Sequence, residues 1–371
     1  MREGRSVWRA LSGSLRPWLM LALVCALFSL RADFRQTFWT QSYLPNVLQQ
    51  SARNIVLAVG MSFVILTAGI DLSVGSVLAL SGVSLAMALY GTLPGWMAFV
   101  VALPGAALIA WLVAPRLRAL PSRTRTSILI SVFLLAEGVG GFAAAKGLAG
   151  GVKVEGAILV ALLVGVACGL VNGGIVSVGR VPSFVMTLGM MSAARGLTLY
   201  ATDGSSVPAR VPRFLALGQG TPLLLITFAV VVAGALLLTR TRAGRYILAI
   251  GGNEQASRLT GVNVAGYKTL AYMLSGLAAG IGAVLVTAKF GVADTNAGTG
   301  AELDAIAAVV IGGTSLSGGQ GSIIGALVGA LTITVIQAGL VLVGIKDTLQ
   351  PVILGGVIVL TVFVDQVRRK L

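Results

Sequence analysis

The stretch Val59-Gly-Met-Ser-Phe-Val-Ile-Leu-Thr-Ala-Gly-Ile-Asp-Leu-Ser-Val-Gly-Ser76 joins two apolar runs, 47 to 69 and 72 to 90, through one short polar break. Each run is close to the 20 or so residues that an α-helix needs to cross the hydrocarbon of a bilayer. Gly69 and Gly75 loosen the chain at the break, and the side-chain oxygens of Asp71 and Ser73 are suited to cap the helix that follows. A carboxylate at the bilayer centre costs at least about 2.5 kcal/mol. Asp71 therefore reads in one of two ways, as a capped junction at the cytoplasmic face or as part of a polar path through the membrane.

The same alternation of long apolar runs and short polar breaks extends in both directions. Further runs lie near 17 to 31, 95 to 114, 127 to 148, 156 to 178, 182 to 201, 221 to 239, 268 to 289, 303 to 316, 322 to 344 and 350 to 366. The fold class expected is an all-α, polytopic membrane helix bundle of about 10–12 transmembrane helices. Composition agrees: 56% of the residues are hydrophobic and only 11% charged, against about 25% charged in a soluble domain. The 49 glycines fit helices that approach closely through small residues. A β-barrel would alternate apolar and polar positions instead.

The net charge of +15 does not point to nucleic acid, because the basic residues fall in short clusters between apolar runs. Arg2, Arg5, Arg9 and Arg16 precede the first run, which reads as a first transmembrane helix and not as a cleaved leader, since no small-residue cleavage site closes it. With that end inside, Arg116, Arg118, Arg123, Arg125, Arg180, Arg240, Arg242, Arg245, Arg258, Arg368, Arg369 and Lys370 all fall on the same side. Both termini are then cytoplasmic, and parity requires 303 to 316 to cross fully. Histidine is absent, so no His-based metal site or triad is available; Cys25 and Cys168 lie in apolar runs and are expected to be buried thiols.

Three polar constellations stand out. The stretch 239 to 263 is the longest polar segment; within it Asn253 is a good N-cap, and Glu254, Gln255, Ala256, Ser257, Arg258 and Leu259 read as a short amphipathic helix stopped by Gly261. A proline at Ala256 is expected to break that helix. Gly261-Val-Asn-Val-Ala-Gly-Tyr-Lys-Thr269 nearly matches a phosphate loop but fails, because Tyr267 separates Gly266 from Lys268 and no strand precedes it. The segment Val309 to Gly329 is dense in glycine. There Gly325 and Gly329 read as packing residues, and Thr314, Ser315 and Ser317 as candidates to line a path. Charges near predicted span ends, Glu137, Arg195, Lys289, Glu302 and Asp304, are candidates by default, with snorkelling as the plain alternative.

Taken in order, Val59 to Ser76, Gly169-Leu-Val-Asn-Gly173, Val181-Pro-Ser-Phe-Val-Met-Thr-Leu-Gly189, Ile250-Gly-Gly-Asn-Glu254 and Ile311-Gly-Gly-Thr-Ser-Leu-Ser-Gly-Gly-Gln-Gly321 carry a resemblance. The chain resembles the permease subunits of ribose-type ABC importers, which carry monosaccharides and related small solutes. The resemblance implies a single permease domain over 1–371, paired with a second permease copy as a homodimer or heterodimer. It further implies two ATP-binding cassette ATPase subunits on the cytoplasmic face, an extracytoplasmic solute-binding protein, and residence in the bacterial inner (plasma) membrane. On this reading the chain is no enzyme and holds no cofactor, since ATP and Mg belong to the ATPase subunits. The loop 240–267 is the cytoplasmic coupling loop, and Asn253 to Leu259 its coupling helix. Arg31, Arg35, Arg210 and Arg213, with Lys153, fall on the outward face, where they are candidates to meet acidic patches of the binding protein.

The chain departs from the family pattern between Tyr90 and Gly156, where extra residues read as an inserted helical hairpin, 95–148, around the Arg-rich loop Pro115 to Arg125. The competing class is a secondary transporter driven by an ion gradient. Such proteins place acidic relays near the midplane and repeat their halves; no clear internal repeat is found here. The sequence does not name the solute.

Overall fold

A computed structural model describes residues 2–113, 122–148, 150–357, 359 and 363. In chain order the elements are α1 (Arg2–Ser29), α2 (Ala32–Phe38), α3 (Tyr43–Leu66), α4 (Val74–Tyr90), α5 (Gly95–Val113), α6 (Ser122–Leu148), α7 (Val154–Val178) and α8 (Ser183–Thr202). There follow strand β1 (Val207–Pro208), α9 (Pro212–Leu215), α10 (Gly220–Arg240), α11 (Arg242–Gly252), α12 (Glu254–Leu259), α13 (Val264–Phe290), strand β2 (Val292–Ala293), α14 (Ala301–Ile311) and α15 (Ile323–Leu342). The fold is all-α apart from an antiparallel two-residue ribbon, Val207 opposite Ala293 and Pro208 opposite Val292.

Five helices among the described residues are long and apolar enough to cross a membrane, and two bent pairs, α1 with α2 and α4 with α5, raise the number to seven. This is fewer than the apolar runs in the sequence. One reason is α14, which has 11 residues; at 1.5 Å per residue it is about 16 Å long, half of the roughly 30 Å hydrocarbon. The expectation that 303 to 316 crosses fully is thus corrected. Another is α3, whose first half carries Gln49, Gln50, Arg53 and Asn54 inside an apolar run.

The chain divides into two compact units, 1–72 with 220–271 and 300–371, and 73–219 with 272–299. In the first, α3, α14 and α15 form the core with α10 beside them. Glycine sets their spacing: a Cβ at Gly312 or Gly325 would strike the carbonyl oxygen of the other, and one at Gly329 would strike that of Ala308. Gly325 and Gly329 are therefore packing residues, four apart on one helix face. In the second unit α4 packs on α7 and α8, and α5 on α6 and α7. Here Gly165 and Gly169 of α7 meet Gly276 and Tyr272 of α13, each Cβ position being filled by the partner's backbone carbonyl. The stretch 95–148 holds α5 and α6, and α6 leaves Ile130, Leu134, Leu135, Val139 and Phe142 exposed, as suits a helix in contact with lipid.

The Arg-rich loop lies partly outside the described residues, as do Arg368, Arg369 and Lys370; the same holds for the side chains of Arg2, Arg5, Arg9, Arg16, Arg123 and Arg125. Cys168 is buried, but Cys25 is only half-buried, because its face of α1 is partly uncovered. No disulfide joins them.

The glycine contacts make a direct prediction. Gly165→Val should lower stability by about 1–3 kcal/mol, the usual cost of overpacking a close contact. Gly174→Val in the same helix should be tolerated, since nothing lies within 4 Å of a Cβ there. Thermal unfolding of both variants in one detergent measures the difference.

Candidate coupling and translocation site

The segment between α10 and α13 is a chain of capped short helices. Thr241 caps α11, its Oγ1 accepting from the Gly244 amide at 3.2 Å. Asn253 ends α11 and caps α12, its Oδ1 accepting from the Ala256 amide at 2.9 Å. Gly261, at φ 83°, closes α12: its amide donates to the Arg258 carbonyl, and the Val262 amide donates to the Ser257 carbonyl, both at 3.1 Å. Only a residue without Cβ enters that left-handed turn cheaply. Asn263 then caps α13 through the Gly266 amide at 3.0 Å.

Glu254 holds this arrangement to the start of α13. Its carboxylate accepts from Lys268 Nζ at 2.6 Å and from Arg258 Nη2 at 3.0 Å. The near-match to a phosphate loop is thereby explained away, since Lys268 is a helix residue committed to a carboxylate. Ser257 is the buried face of α12; Gln255, Ala256 and Arg258 are exposed, and Leu259 is 89% exposed. Because Ala256 donates only to the Asn253 side chain, a proline there removes a cap and no i→i−4 bond. The helix-breaking position is Ser257, whose amide donates to the Asn253 carbonyl at 3.0 Å.

The polar break that opened the sequence reading adjoins this segment. Helix α3 ends in a turn with Ala68 in the left-handed region at φ 60°, a conformation that costs a residue with a Cβ about 1 kcal/mol. The turn is over-determined by its surroundings. The Gly319 amide donates to the Leu66 carbonyl at 3.0 Å. A Cβ on Gly251 would strike that same carbonyl and the Gly319 amide, and one on Gly318 would strike Ala68 and Gly251. Three chain segments, the end of α3, the end of α11 and the turn after α14, thus meet backbone to backbone.

Asp71 is buried at 1% exposure, as is Ser73. Ser73 stands at the start of α4 but makes no side-chain cap, contrary to expectation; its hydroxyl accepts instead from Asn172 Nδ2 at 2.9 Å. In the glycine turn, Thr314 and Ser315 are buried and Ser317 is exposed. The Thr314 hydroxyl is buried without a hydrogen-bond partner. Ser315 Oγ accepts from the Ser317 amide at 3.2 Å.

Residues 126–362 match the family model described as branched-chain amino acid transport system / permease component. The ribose import permease protein RbsC of Escherichia coli (strain K12) is 37% identical over 367 residues, spanning 95% of this chain and 96% of that protein. The chain belongs to this permease family. The ribose import permease of Bacillus subtilis (strain 168) is 33% identical over 360 residues, 95% of this chain and 92% of that one. The D-allose transport system permease protein AlsC of Escherichia coli (strain K12) is 32% identical over 360 residues, 95% and 91%. No solved structure matches significantly. The chain is a multi-pass membrane permease and not an enzyme, and the secondary-transporter reading is set aside.

Within the permease, the outward-face candidates differ from one another. Arg213 is paired with Glu155 at 2.7 Å, which offsets its charge, whereas Arg31 stands only 4.0 Å from Asp33; Arg35, Arg210 and Lys153 are exposed. Arg195 does not snorkel. Its guanidinium donates to the Thr295 and Ala297 carbonyls, pinning the loop after β2. Arg53, Asn54 and Gln337 went unnoticed in the sequence, although an Arg-Asn pair inside an apolar run was a legible signal.

The Lys268 ammonium holds the Glu254 carboxyl below the usual carboxylate range, Arg258 adds to this, and partial burial opposes it. A depressed carboxylate contributes stability above its unfolded pKa of about 4.3 and loses it as pH falls through the lowered folded value. Hydrogen exchange of the 254–259 amides, corrected for intrinsic rates, should therefore show constant protection at neutral pH and a loss below about pH 4. Glu254→Gln should abolish that pH dependence.

Proposed function

We propose that this permease imports a monosaccharide through the inner membrane, driven by ATP hydrolysis on separate subunits. The observation that carries the reading is near-full-length similarity to permeases named for ribose and D-allose. Asn253, Glu254, Gln255, Ala256, Ser257, Arg258 and Leu259 act as the coupling helix, which fits a motor cleft through its exposed Leu259 and polar face. Closure of the ATPase pair pushes α12, the Gly251–Leu66–Gly319 contact passes the displacement on, and Asp71, Ser73, Thr314, Ser315 and Ser317 border the path that switches. A second permease copy completes the channel. A solute-binding protein docks on the outer face near Arg31, Arg35, Arg210 and Arg213. The chain itself binds neither ATP nor Mg.

Proteoliposomes with the cognate ATPase and binding protein, given radiolabelled D-ribose, D-allose or D-fructose, test the reading. Uptake is expected to require all subunits, and the purified permease alone should hydrolyse no ATP. Ser257→Pro, at a cost of about 3 kcal/mol to a short helix, should uncouple ATP hydrolysis from uptake while membrane insertion persists. Normal uptake by that variant would place the coupling contact elsewhere.

A further inference from the structure

Within the first unit a polar cluster joins α3, α14 and α15. Arg53 Nε donates to Asn54 Oδ1 at 3.2 Å, and Asn54 Nδ2 donates to Thr334 Oγ1 on α15 at 3.3 Å. One turn along α15, Gln337 Nε2 donates to Asp304 Oδ2 at 3.0 Å. That carboxylate oxygen stands 3.9 Å from Arg53 Nη2. Thr334 and Gln337 belong to the apolar span Ile323–Leu342, so the cluster sits at membrane depth.

Two features separate this pair from a structural ion pair. Its side chains are 34% and 16% exposed; at that depth charged surface must meet water or polar groups, since acyl chains offer neither. The pair is also open. The closed carboxylate–cation pairs among the described residues stand at 2.6, 2.7 and 3.0 Å, whereas 3.9 Å lies beyond the hydrogen-bond range. A single hydroxyl oxygen can sit at ordinary distance from both atoms, accepting from the guanidinium and donating to the carboxylate. The Gln337 amide beside them orients the same carboxylate.

We infer that Arg53, Asp304 and Gln337 form a hydroxyl-binding station for a polyhydroxylated solute inside the permease. This rests on the monosaccharide reading and extends it to a site in this chain. Hydroxyl chemistry suits a transient station, because each contact exchanges readily with water and the solute is released onward. Asp304 was a charge near a span end in the sequence; its partners come from helices far away in the chain.

The test uses the full complex in proteoliposomes with radiolabelled D-ribose as probe, and compares Asp304→Asn with the double swap Arg53→Asp, Asp304→Arg. Asp304→Asn keeps shape and the Gln337 contact, so it should retain the unfolding temperature and basal ATP hydrolysis yet lose uptake about tenfold or more, the effect of one charge-assisted hydrogen bond. The swap should restore the pair without restoring uptake. Uptake by Asp304→Asn within twofold of wild type, recovery of uptake in the swap, or loss of uptake by Asp304→Asn that tracks its own loss of folding would each overturn the station. If the wild-type complex imports none of D-ribose, D-allose and D-fructose, the monosaccharide reading itself falls, and the station with it. If the swap does not fold, the isosteric Asp304→Asn decides alone.

Discussion

Lipid tails are as apolar as leucine, so helices in a bilayer gain little by burying aliphatic side chains on one another; the gain comes from how near their backbones approach. In this permease the approach is set by glycine. Gly165 and Gly276 bring α7 and α13 together in the second unit, and Gly312, Gly325 and Gly329 do so for α14 and α15 in the first. At each of these positions the volume a Cβ would need is already occupied by a backbone carbonyl. Removing the side chain is thus the condition for the contact, and the dispersion energy recovered along both helices is what replaces the hydrophobic drive that water would have supplied.

The same constraint permits breaks that a lipid-exposed chain could not carry. Backbone groups freed between α14 and α15 must be satisfied inside the protein, and they are. The Ser315 amide donates to Gln320 at 2.9 Å and the Gly319 amide to Leu66 at 3.0 Å, while Ser322 caps α15 by accepting from Gly325 at 2.9 Å. A half-length helix followed by a glycine turn is stable here because a neighbouring helix end supplies the missing acceptor. Thr314 differs from these backbone groups, its buried hydroxyl having no hydrogen-bond partner in the turn.

Much of this was legible in the sequence because the relevant signals are local. Asn253 before a short amphipathic stretch and Gly261 after it follow from propensity and capping alone, and the structure has both where the residues put them; the apolar runs set the helical class but overstate the number of spans. What the sequence concealed is pairing at a distance. Ser73 looked like a cap because its hydroxyl stands before a helix, but Asn172, 99 residues on, competes for it and wins. Asp304 was visible as a charge, yet Gln337, 33 residues away, gives it its setting. The end of α14 is set locally, by Gly312 at its C-cap and by Gly313, which turns the chain out of the helix at φ 85°; what distance concealed is that Gly312 packs against Gly325 of α15.

A transporter that couples a motor to a path must pass displacement without slack, and side chains are poor conductors because each carries rotamers that absorb movement. Backbone contacts carry none. Gly251 lies three residues before Glu254 and touches the Leu66 carbonyl, which is the acceptor for Gly319; five residues beyond Leu66 is Asp71, and four before Gly319 is Ser315. On the coupling route proposed above, a shift at α12 would reach both polar elements through backbone contacts alone, none of which can relax by rotation about a side-chain torsion. Ala68 tightens this further, since a left-handed residue with a Cβ persists only where its neighbours leave no alternative. The strain at Ala68 and the density of glycine around it have one cause, the backbone-to-backbone packing of three chain segments.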